Sequence, residues 1–290
     1  MKPLEQSTSR NRQYLAFRQA VLTSQARQMV GEPSTSGVVE FLRLPLQRLP
    51  QSEAVKVLLD RCLKRSSNRI YFVNAHTVVM SRKEHALEET LNRGDLLLPD
   101  GSGVLWSSRL LGKPIKFNLN GTDLIPALCK AGAPKGLSVY LLGAKPGVAD
   151  GVAQSLTQTH PGLTIAGIQH GYFEEQDLEA VLDDIRQAQP HVVLVAMGVP
   201  LQEFWIDQHA KHLPGITLIG VGGLFDFLAQ RVVRAPYPVR RLGLEWCWRL
   251  MMEPSRLGHR YTVGIVAFMY IVLQDSWLAF KRKQNIATQP

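Results

Sequence analysis

The sequence predicts an α/β fold in which helices cover both faces of a parallel β-sheet. Short apolar runs rich in β-branched residues recur along the chain, and amphipathic helical patterns separate them. Strands that are apolar throughout are typical of a parallel sheet buried on both faces. After Phe225 this alternation stops and a basic, helical segment follows. We therefore expect a Rossmann-like core with a helical C-terminal appendage that docks on a membrane.

The clearest predicted strands are the apolar runs Ile70–Val73, Leu96–Leu98, Ser138–Leu142, Val192–Ala196 and Thr217–Val221. A helical pattern between two of them runs from Leu178 to Ile185 at spacings i, i+3, i+4 and i+7, and Pro190 closes it. In parallel sheets of this kind the ligand crevice lies beyond the carboxyl ends of the strands. The segments that directly follow the strands are therefore the candidates for chemistry.

Three parts are predicted along the chain: a polar extension at residues 1–37, an α/β catalytic core at 38–238, and an appendage at 239–290. The uncharged run from Tyr261 to Gln274 is about fourteen residues long, whereas a membrane-spanning helix needs roughly 20. Such a helix lies in the membrane interface or packs on protein. We expect the appendage to act as a detachable membrane-docking lid.

Composition narrows the class of protein. At 45% hydrophobic residues the chain can bury a full core, which excludes a disordered protein. Residues 231–290 hold ten Lys/Arg against three Asp/Glu, so they contribute +7 of the net charge of +9. A basic segment favours an anionic partner. Because no DNA- or RNA-reading motif is present, we expect an anionic membrane surface and no nucleic acid.

Asp100 is the carboxylate with the most informative position. It stands between Pro99 and Gly101, after an apolar strand and before a helix. A partly shielded carboxylate at a strand end can act as a general base toward a hydroxyl group. The alternative is that Asp100 caps the helix or shapes a turn, which is the commoner use of Asp at such boundaries.

Two further strand ends are candidates for ligand contact. The Gly143–Gly147 loop opens a helix and either presents backbone N–H groups to a phosphate or forms a tight turn, without GxGxxG spacing. Gln202 can hydrogen-bond a sugar or nucleotide hydroxyl, or it simply begins a helix, where Glu203 favours the helix dipole. No metal-ligand spacing and no Asp-x-Asp occur, so we expect neither a metal nor a cofactor.

Together these motifs resemble the WecG/TagA/CpsF family of glycosyltransferases, from about residue 38 to about residue 261. Each motif alone is weak, but their order and spacing are specific. The matching segments are Asn74–Thr77, Leu98–Val104, Asn120–Leu124, Leu141–Ala149, His170–Phe173, Met197–Glu203, Gly222–Asp226, Arg234–Pro236, Gly243–Leu250 and Glu253–Arg256.

The resemblance implies an inverting, metal-independent enzyme of surface polysaccharide biosynthesis. It would transfer a sugar from a UDP-sugar to an undecaprenyl-diphosphate-linked sugar, as a peripheral protein on the cytoplasmic face of the inner membrane. Asp100 matches the family's proposed base, and Arg249 and Arg256 match arginines that close over the donor diphosphate. The full set of candidate substrate-binding residues is Asn74, Thr77, Gly121, Asp123, Gly143, Gln202, Arg249 and Arg256.

The chain departs from the family pattern in places: Asn118 and His259 stand where some members carry Arg, and Leu201 replaces a usual Lys. Glucose, N-acetylmannosamine and its uronic acid all stay open as the donor sugar, and a homo-oligomer also stays open. A second class of function is a non-catalytic nucleotide-binding module that recruits other enzymes to the membrane. Transfer from a UDP-sugar to a lipid acceptor separates the two classes.

Overall fold

The computed structural model describes residues 37–287, without side chains for residues 256, 259–261, 279–280 and 282–287. The predicted N-terminal extension therefore lies outside the described residues, apart from Gly37. One mixed sheet organises the rest of the chain. Its strands are β1 (Val38–Phe41), β2 (Leu44–Gln47), β3 (Asn68–Val73), β4 (Leu96–Pro99), β5 (Ser138–Gly143), β6 (Thr164–Gln169), β7 (Val192–Ala196) and β8 (Thr217–Gly220).

Across the sheet the strands follow the order β1-β2-β4-β3-β8-β7-β5-β6. The β1–β2 pair is antiparallel, and the other neighbouring pairs of the described chain are parallel. Side chains of β3 alternate between two apolar layers: Ile70 and Phe72 lie in one, and Tyr71 and Val73 in the other. The predicted parallel sheet with helices on both faces is thus confirmed.

Helices fill the connections between strands and form the C-terminal end. In chain order they are α1 (Gln51–Leu63), α2 (Ala75–Lys83), α3 (His85–Asn92), α4 (Ser102–Leu110), α5 (Gly121–Gly132), α6 (Val148–Thr159), α7 (Leu178–Ala188), α8 (Leu201–His209), α9 (Leu224–Leu228), α10 (Tyr237–Arg241), α11 (Glu245–Met252) and α12 (Pro254–Ala287). The last strand ends at Gly220, so the segment after it is entirely helix and loop within the described range.

The five apolar runs named above all form strands, whereas two regions of the sheet carry no clear sequence signal. The β1–β2 hairpin turns at Leu42 and Arg43, both with positive φ, where Asn-Gly or Asp-Gly is the usual signal. Strand β6 is a partly exposed edge strand that contains Gly167. A Cβ on Gly167 would overlap the ring of Tyr140, so packing requires glycine at this position. Glycine inside a strand weakens the sequence signal for that strand.

Helix α12 presents apolar side chains on two opposite faces. Phe268 and Val272 are 3% and 0% exposed, and they join the apolar layer that also contains Val78 of α2. An ion pair of 3.3 Å between Arg82 and Asp275 lies along the same contact. Helix α12 is therefore part of the hydrophobic core. Detachment of the appendage, as expected of a lid, would expose apolar surface on α2.

The opposite face of α12 is an exposed apolar stripe, defined by Val266, Tyr270, Leu273 and Trp277 at 70%, 66%, 57% and 54% exposure. Their spacing of 4, 3 and 4 residues places them on one side of the helix. Lys281 lies 4.0 Å from the centre of the Trp277 ring. Among the described residues, no helix has the length and hydropathy required to cross a membrane.

Candidate active site

The loops that follow the parallel strands form a row along one edge of the sheet. The strand order β4-β3-β8-β7-β5 places side by side the loops that begin at Asp100, Asn74, Val221, Met197 and Ala144. Open α/β sheets bind ligands at this edge. The candidate residues that the sequence places after separate strands thus lie along one crevice edge.

Asp100 and Asn74 meet at the adjoining ends of β4 and β3. The Asn74 side chain donates from Nδ2 to Oδ2 of Asp100 at 3.2 Å. Its Oδ1 accepts from the backbone N–H of Thr77 at 3.1 Å and from the Thr77 hydroxyl at 3.2 Å. Because Oδ1 is occupied at the start of α2, the amide must turn its N–H group toward the carboxylate. Thr77 is fully buried, and its two hydrogen bonds to Asn74 Oδ1 fix the orientation of the Asn74 amide.

The turn that carries Asp100 is shaped by its neighbours. Gly101 occupies the N-cap position of α4 with φ of 88°, a conformation that favours glycine. Its N–H donates to Oδ1 of Asn118 at 2.8 Å, so Asn118 supports this turn. Asp100 therefore directly precedes the N-cap position of α4, which Gly101 occupies without a side-chain cap.

Gln202 lies beneath the loops that follow β7 and β8. Its Oε1 accepts from the backbone N–H of Gly198 at 3.2 Å and of Gly222 at 2.8 Å. Its Nε2 donates to Oε1 of Glu203 at 2.9 Å. The side chain is only 3% exposed, so its polar atoms face protein groups. This geometry supports a role for Gln202 in holding two site loops rather than in touching a ligand.

Glu203 is fully buried beside Gln202, and its Oε2 has no hydrogen-bond partner among the described residues. Burial raises the pKa of this carboxyl group from 4.5 to about 7, and the hydrogen bonds from Gln202 and from backbone only partly offset the shift. Desolvation disfavours the charged form of a carboxylate. The sequence offers no signal for this feature, since Glu at a helix start is ordinarily exposed.

We expect Glu203 to make the stability of the protein depend on pH. Since the folded state holds this proton more tightly than the unfolded state, the free energy of unfolding should fall by up to about 3 kcal/mol as pH rises from 4.5 to 7. Glu203→Gln should remove this contribution. Thermal unfolding of both proteins at pH 5 and pH 8 tests it, and an identical pH dependence in the two would contradict it.

Asp123 anchors the segment that leads to the C-terminal helices. Its Oδ1 lies 2.8 Å from the Arg234 guanidinium and 3.9 Å from that of Arg240. Arg234 also pairs with Glu245 at 3.3 Å. Burial alone would raise the pKa of Asp123, but hydrogen bonds from Arg234 and Asn120 and the arginine charges lower it. The Asp123 carboxylate is therefore held in an ion-pair network with Arg234 and Arg240. Arg234 is an additional candidate functional residue that was not among those predicted from the sequence.

Packing requires glycine at Gly143, whereas at Gly121 a Cβ would make only an ordinary contact. Gly121 is the first residue of α5, and a Cβ there would lie 3.6 Å from the ring of Phe72. Gly143 has φ of 125°, and a Cβ on it would lie 2.5 Å from the carbonyl oxygen of Ala196 on β7. Because any side chain at Gly143 would collide with this backbone, the residue lets the ends of β5 and β7 approach closely.

Arg249 rests on the turn that follows β8. Its guanidinium carbon lies 4.7 Å from the centre of the Phe227 ring, and one terminal nitrogen would be 3.6 Å from a Cβ on Gly223. The buried Nε of Arg249 has no hydrogen-bond partner within the described part of the chain. Arg249 is thus a cation at the site edge. Arg256 lies in the first turns of α12, and its side chain is outside the described residues.

The described residues include no cluster of three or more His, Cys, Asp or Glu side chains that could hold a metal ion. The chemistry available at this edge includes the Asp100 carboxylate, the Asn74 amide and the Arg249 guanidinium. A carboxylate held by an amide donor is suited to accept a proton from a hydroxyl group. An arginine at the same edge is suited to a phosphate.

Comparisons with known proteins identify relatives of this chain and the family to which it belongs. Curated relatives from Staphylococcus aureus strains MW2 and NCTC 8325 / PS 47 are each 29% identical over 243 residues, which is 83% of this chain and 94% of the relative. Both are named N-acetylglucosaminyldiphosphoundecaprenol N-acetyl-beta-D-mannosaminyltransferase. The model of the glycosyl transferase WecG/TagA/CpsF family matches residues 39–283. With a match over most of its length, the chain belongs to the WecG/TagA/CpsF family of glycosyl transferases.

Proposed function

We propose that this glycosyltransferase moves a sugar from a UDP-sugar to an undecaprenyl-diphosphate-linked sugar, with inversion and without a metal ion. The observation that carries the proposal is the Asp100 carboxylate, held by the Asn74 amide at the carboxyl edge of the sheet. The named relatives act on a saccharide linked to undecaprenol through a diphosphate, which supports the same acceptor class here. The setting would be polysaccharide synthesis at the cytoplasmic face of the inner membrane.

In the proposed reaction Asp100 accepts the proton of the acceptor hydroxyl. The freed oxygen electron pair forms a bond to the anomeric carbon of the donor, and the bond from that carbon to the diphosphate oxygen breaks. Attack from the face opposite the leaving group inverts the anomeric configuration. A positioned base is worth roughly 10² to 10⁴ in rate, and the hydrogen bond from Asn74 keeps the Asp100 carboxylate aimed.

The leaving UDP gains negative charge on its diphosphate, and Arg249 is placed to neutralise it. Charge that develops in the transition state is best stabilised by donors that are already oriented. Arg249 meets this requirement because the Phe227 ring supports its guanidinium and its Nε has no protein partner among the described residues. Arg256 follows in α12 and is proposed as a second diphosphate ligand.

The exposed apolar stripe of α12 is the proposed membrane contact. Four large apolar side chains on one helix face, with Lys281 over Trp277, match an amphipathic helix that lies in the interface of an anionic bilayer. Met251 and Met252 at the end of α11, directly before α12, are also exposed, at 68% and 49%. The opposite face of α12 packs on α2, and this contact supports a docked position in which the site lies close to the bilayer.

The proposal is tested with the purified chain, a short-chain lipid diphosphate carrying N-acetylglucosamine, and a panel of UDP-sugars. We expect one donor to give a disaccharide product, with the anomeric configuration inverted as read by NMR. Binding of UDP without transfer from any donor would instead support the non-catalytic module that recruits other enzymes to the membrane.

Metal independence gives a separate expected result. Transfer should persist at its full rate in excess EDTA, because arginine charge replaces the role that a divalent cation has at a nucleotide diphosphate. Initial rates with EDTA, with magnesium and with manganese should agree within about twofold, which is less than the effect of one typical hydrogen bond. Loss of activity in EDTA that magnesium or manganese restores would show that a metal takes part.

A further inference from the structure

The amide group of Gln202 must adopt one of two orientations, which differ by a half-turn. In the observed orientation Oε1 faces two backbone donors, the N–H groups of Gly198 and Gly222. The reversed orientation would place the NH₂ group against those two donors, where it could accept nothing. The Gln202 side chain is buried, at 3% exposure, so this mismatch would set buried donors against each other at a cost in free energy.

Glu203 is the group that matches the other end of this amide. Its Oε1 accepts from Gln202 Nε2 at 2.9 Å, and a carboxyl oxygen accepts this bond in either protonation state. Neither side chain reaches solvent, at 3% and 0% exposure. Hydrogen bonds are therefore donated in one direction along a chain, from the loops after β7 and β8 to the Gln202 amide and from that amide to the Glu203 carboxyl group.

The same chain leads to the proposed diphosphate site. Gly222, which donates to Gln202 at 2.8 Å, is followed directly by Gly223, against which the Arg249 guanidinium rests. A shift of this turn would move the surface that supports Arg249. The Phe227 ring under the guanidinium belongs to α9, which begins at this turn. Gln202, Gly222 and Gly223 thus connect the buried Glu203 carboxyl group to a cation at the site edge.

We propose that Glu203 is a positioning residue: it orients the Gln202 amide, and thereby holds the Gly222–Gly223 turn on which Arg249 binds the donor diphosphate. The inference rests on the proposed function, since it assigns the donor end of that same site. Glu203 does not touch substrate and takes no part in proton transfer. Its loss should therefore weaken binding of the nucleotide more than it changes the chemical step.

The test uses the fact that the two side chains have nearly the same shape and opposite hydrogen-bonding roles. Gln202→Glu places two carboxyl groups face to face and removes the donor between them. Glu203→Gln keeps an acceptor oxygen for Gln202. The double variant Q202E/E203Q restores the chain in reverse, because the new carboxylate accepts from both glycines and from the new amide. Glu203→Leu removes the acceptor altogether.

We expect E203L at neutral pH, and Q202E at a pH well above 7 where the two carboxyl groups no longer share a proton, each to raise the Kd for UDP and the donor KM roughly tenfold, the effect of one lost buried hydrogen bond. E203Q and Q202E/E203Q should stay within about threefold of the parent. Q202E should also recover as pH falls, because a shared proton supplies a new donor. Thermal unfolding identifies any variant that does not fold, and the isosteric variants still test the proposal if E203L fails.

Two results would overturn the proposal: an E203L variant that binds UDP like the parent, or a double variant no better than Q202E. UDP binding is measured by calorimetry without acceptor, so it reports on the positioning chain even if no donor supports transfer. Absence of transfer in the parent would instead count against the proposed function alone.

Discussion

Asp100→Asn should lower kcat by roughly 10² to 10⁴ while leaving the fold and the Kd for UDP unchanged. The substitution removes the proton acceptor but keeps the size of the side chain. The Asn74 amide donates to Asp100 at 3.2 Å, and an amide oxygen at position 100 still accepts that bond. Initial rates at saturating donor and acceptor, together with calorimetry for UDP, separate the loss of chemistry from a loss of binding.

Asp60→Asn is the matched control, because Asp60 is an exposed carboxylate on α1 that pairs with Lys64 in the next turn. Its rate should equal that of the parent. Asn74→Ala should fall between the two, since the base is then present but no longer held. A D100N protein with a rate within a few-fold of the parent would remove Asp100 from the proton transfer.

Replacing the exposed stripe of α12 should abolish stable membrane binding without unfolding the protein. In a variant with Val266, Tyr270, Leu273 and Trp277 all changed to Gln, we expect affinity for anionic vesicles to fall at least about 100-fold. Each large apolar side chain contributes on the order of 1 kcal/mol or more when it enters the interface. The buried residues Phe268 and Val272 are untouched, so the melting temperature should stay close to that of the parent.

Activity should follow the location of the acceptor. With a long-chain acceptor in vesicles the quadruple variant should lose most of its turnover, and with a water-soluble short-chain acceptor it should match the parent. Ile168→Gln with Tyr172→Gln is the control, because these exposed apolar residues lie at the β6 end of the sheet. Equal vesicle sedimentation of the parent and the quadruple variant would show that another surface docks.

The interior of the sheet could be predicted because its signal is local. Runs such as Val192–Ala196 are apolar at every position, and only a strand buried on both faces uses such a run at that length. The β1–β2 hairpin was missed because Leu42 and Arg43 adopt positive φ without the usual turn residues. There the tertiary structure determines the turn, and a single sequence does not report it.

The site could be predicted as a set of positions but not as a set of contacts. That Asn74 meets Asp100 depends on β3 and β4 being neighbours, which is a property of strand order. The same holds for Gln202, whose partner Gly222 comes from a strand that lies later in the chain. Residues 26 and 20 positions apart carry no local pattern that would reveal such a bond.

Helix α12, which has apolar side chains on two opposite faces, would also set the height of Asp100 above a membrane. When its outer stripe lies on a bilayer, the inner face with Phe268 contacts the start of α4 near Gly103, three residues beyond Asp100. The carboxylate then stands above the lipid by about the thickness of one helix, roughly 10 Å. In the proposed docked position, a hydroxyl on the first sugar after a lipid diphosphate would reach Asp100 more readily than the end of a long glycan. The thickness of α12 would thus favour lipid-linked acceptors that carry a short glycan.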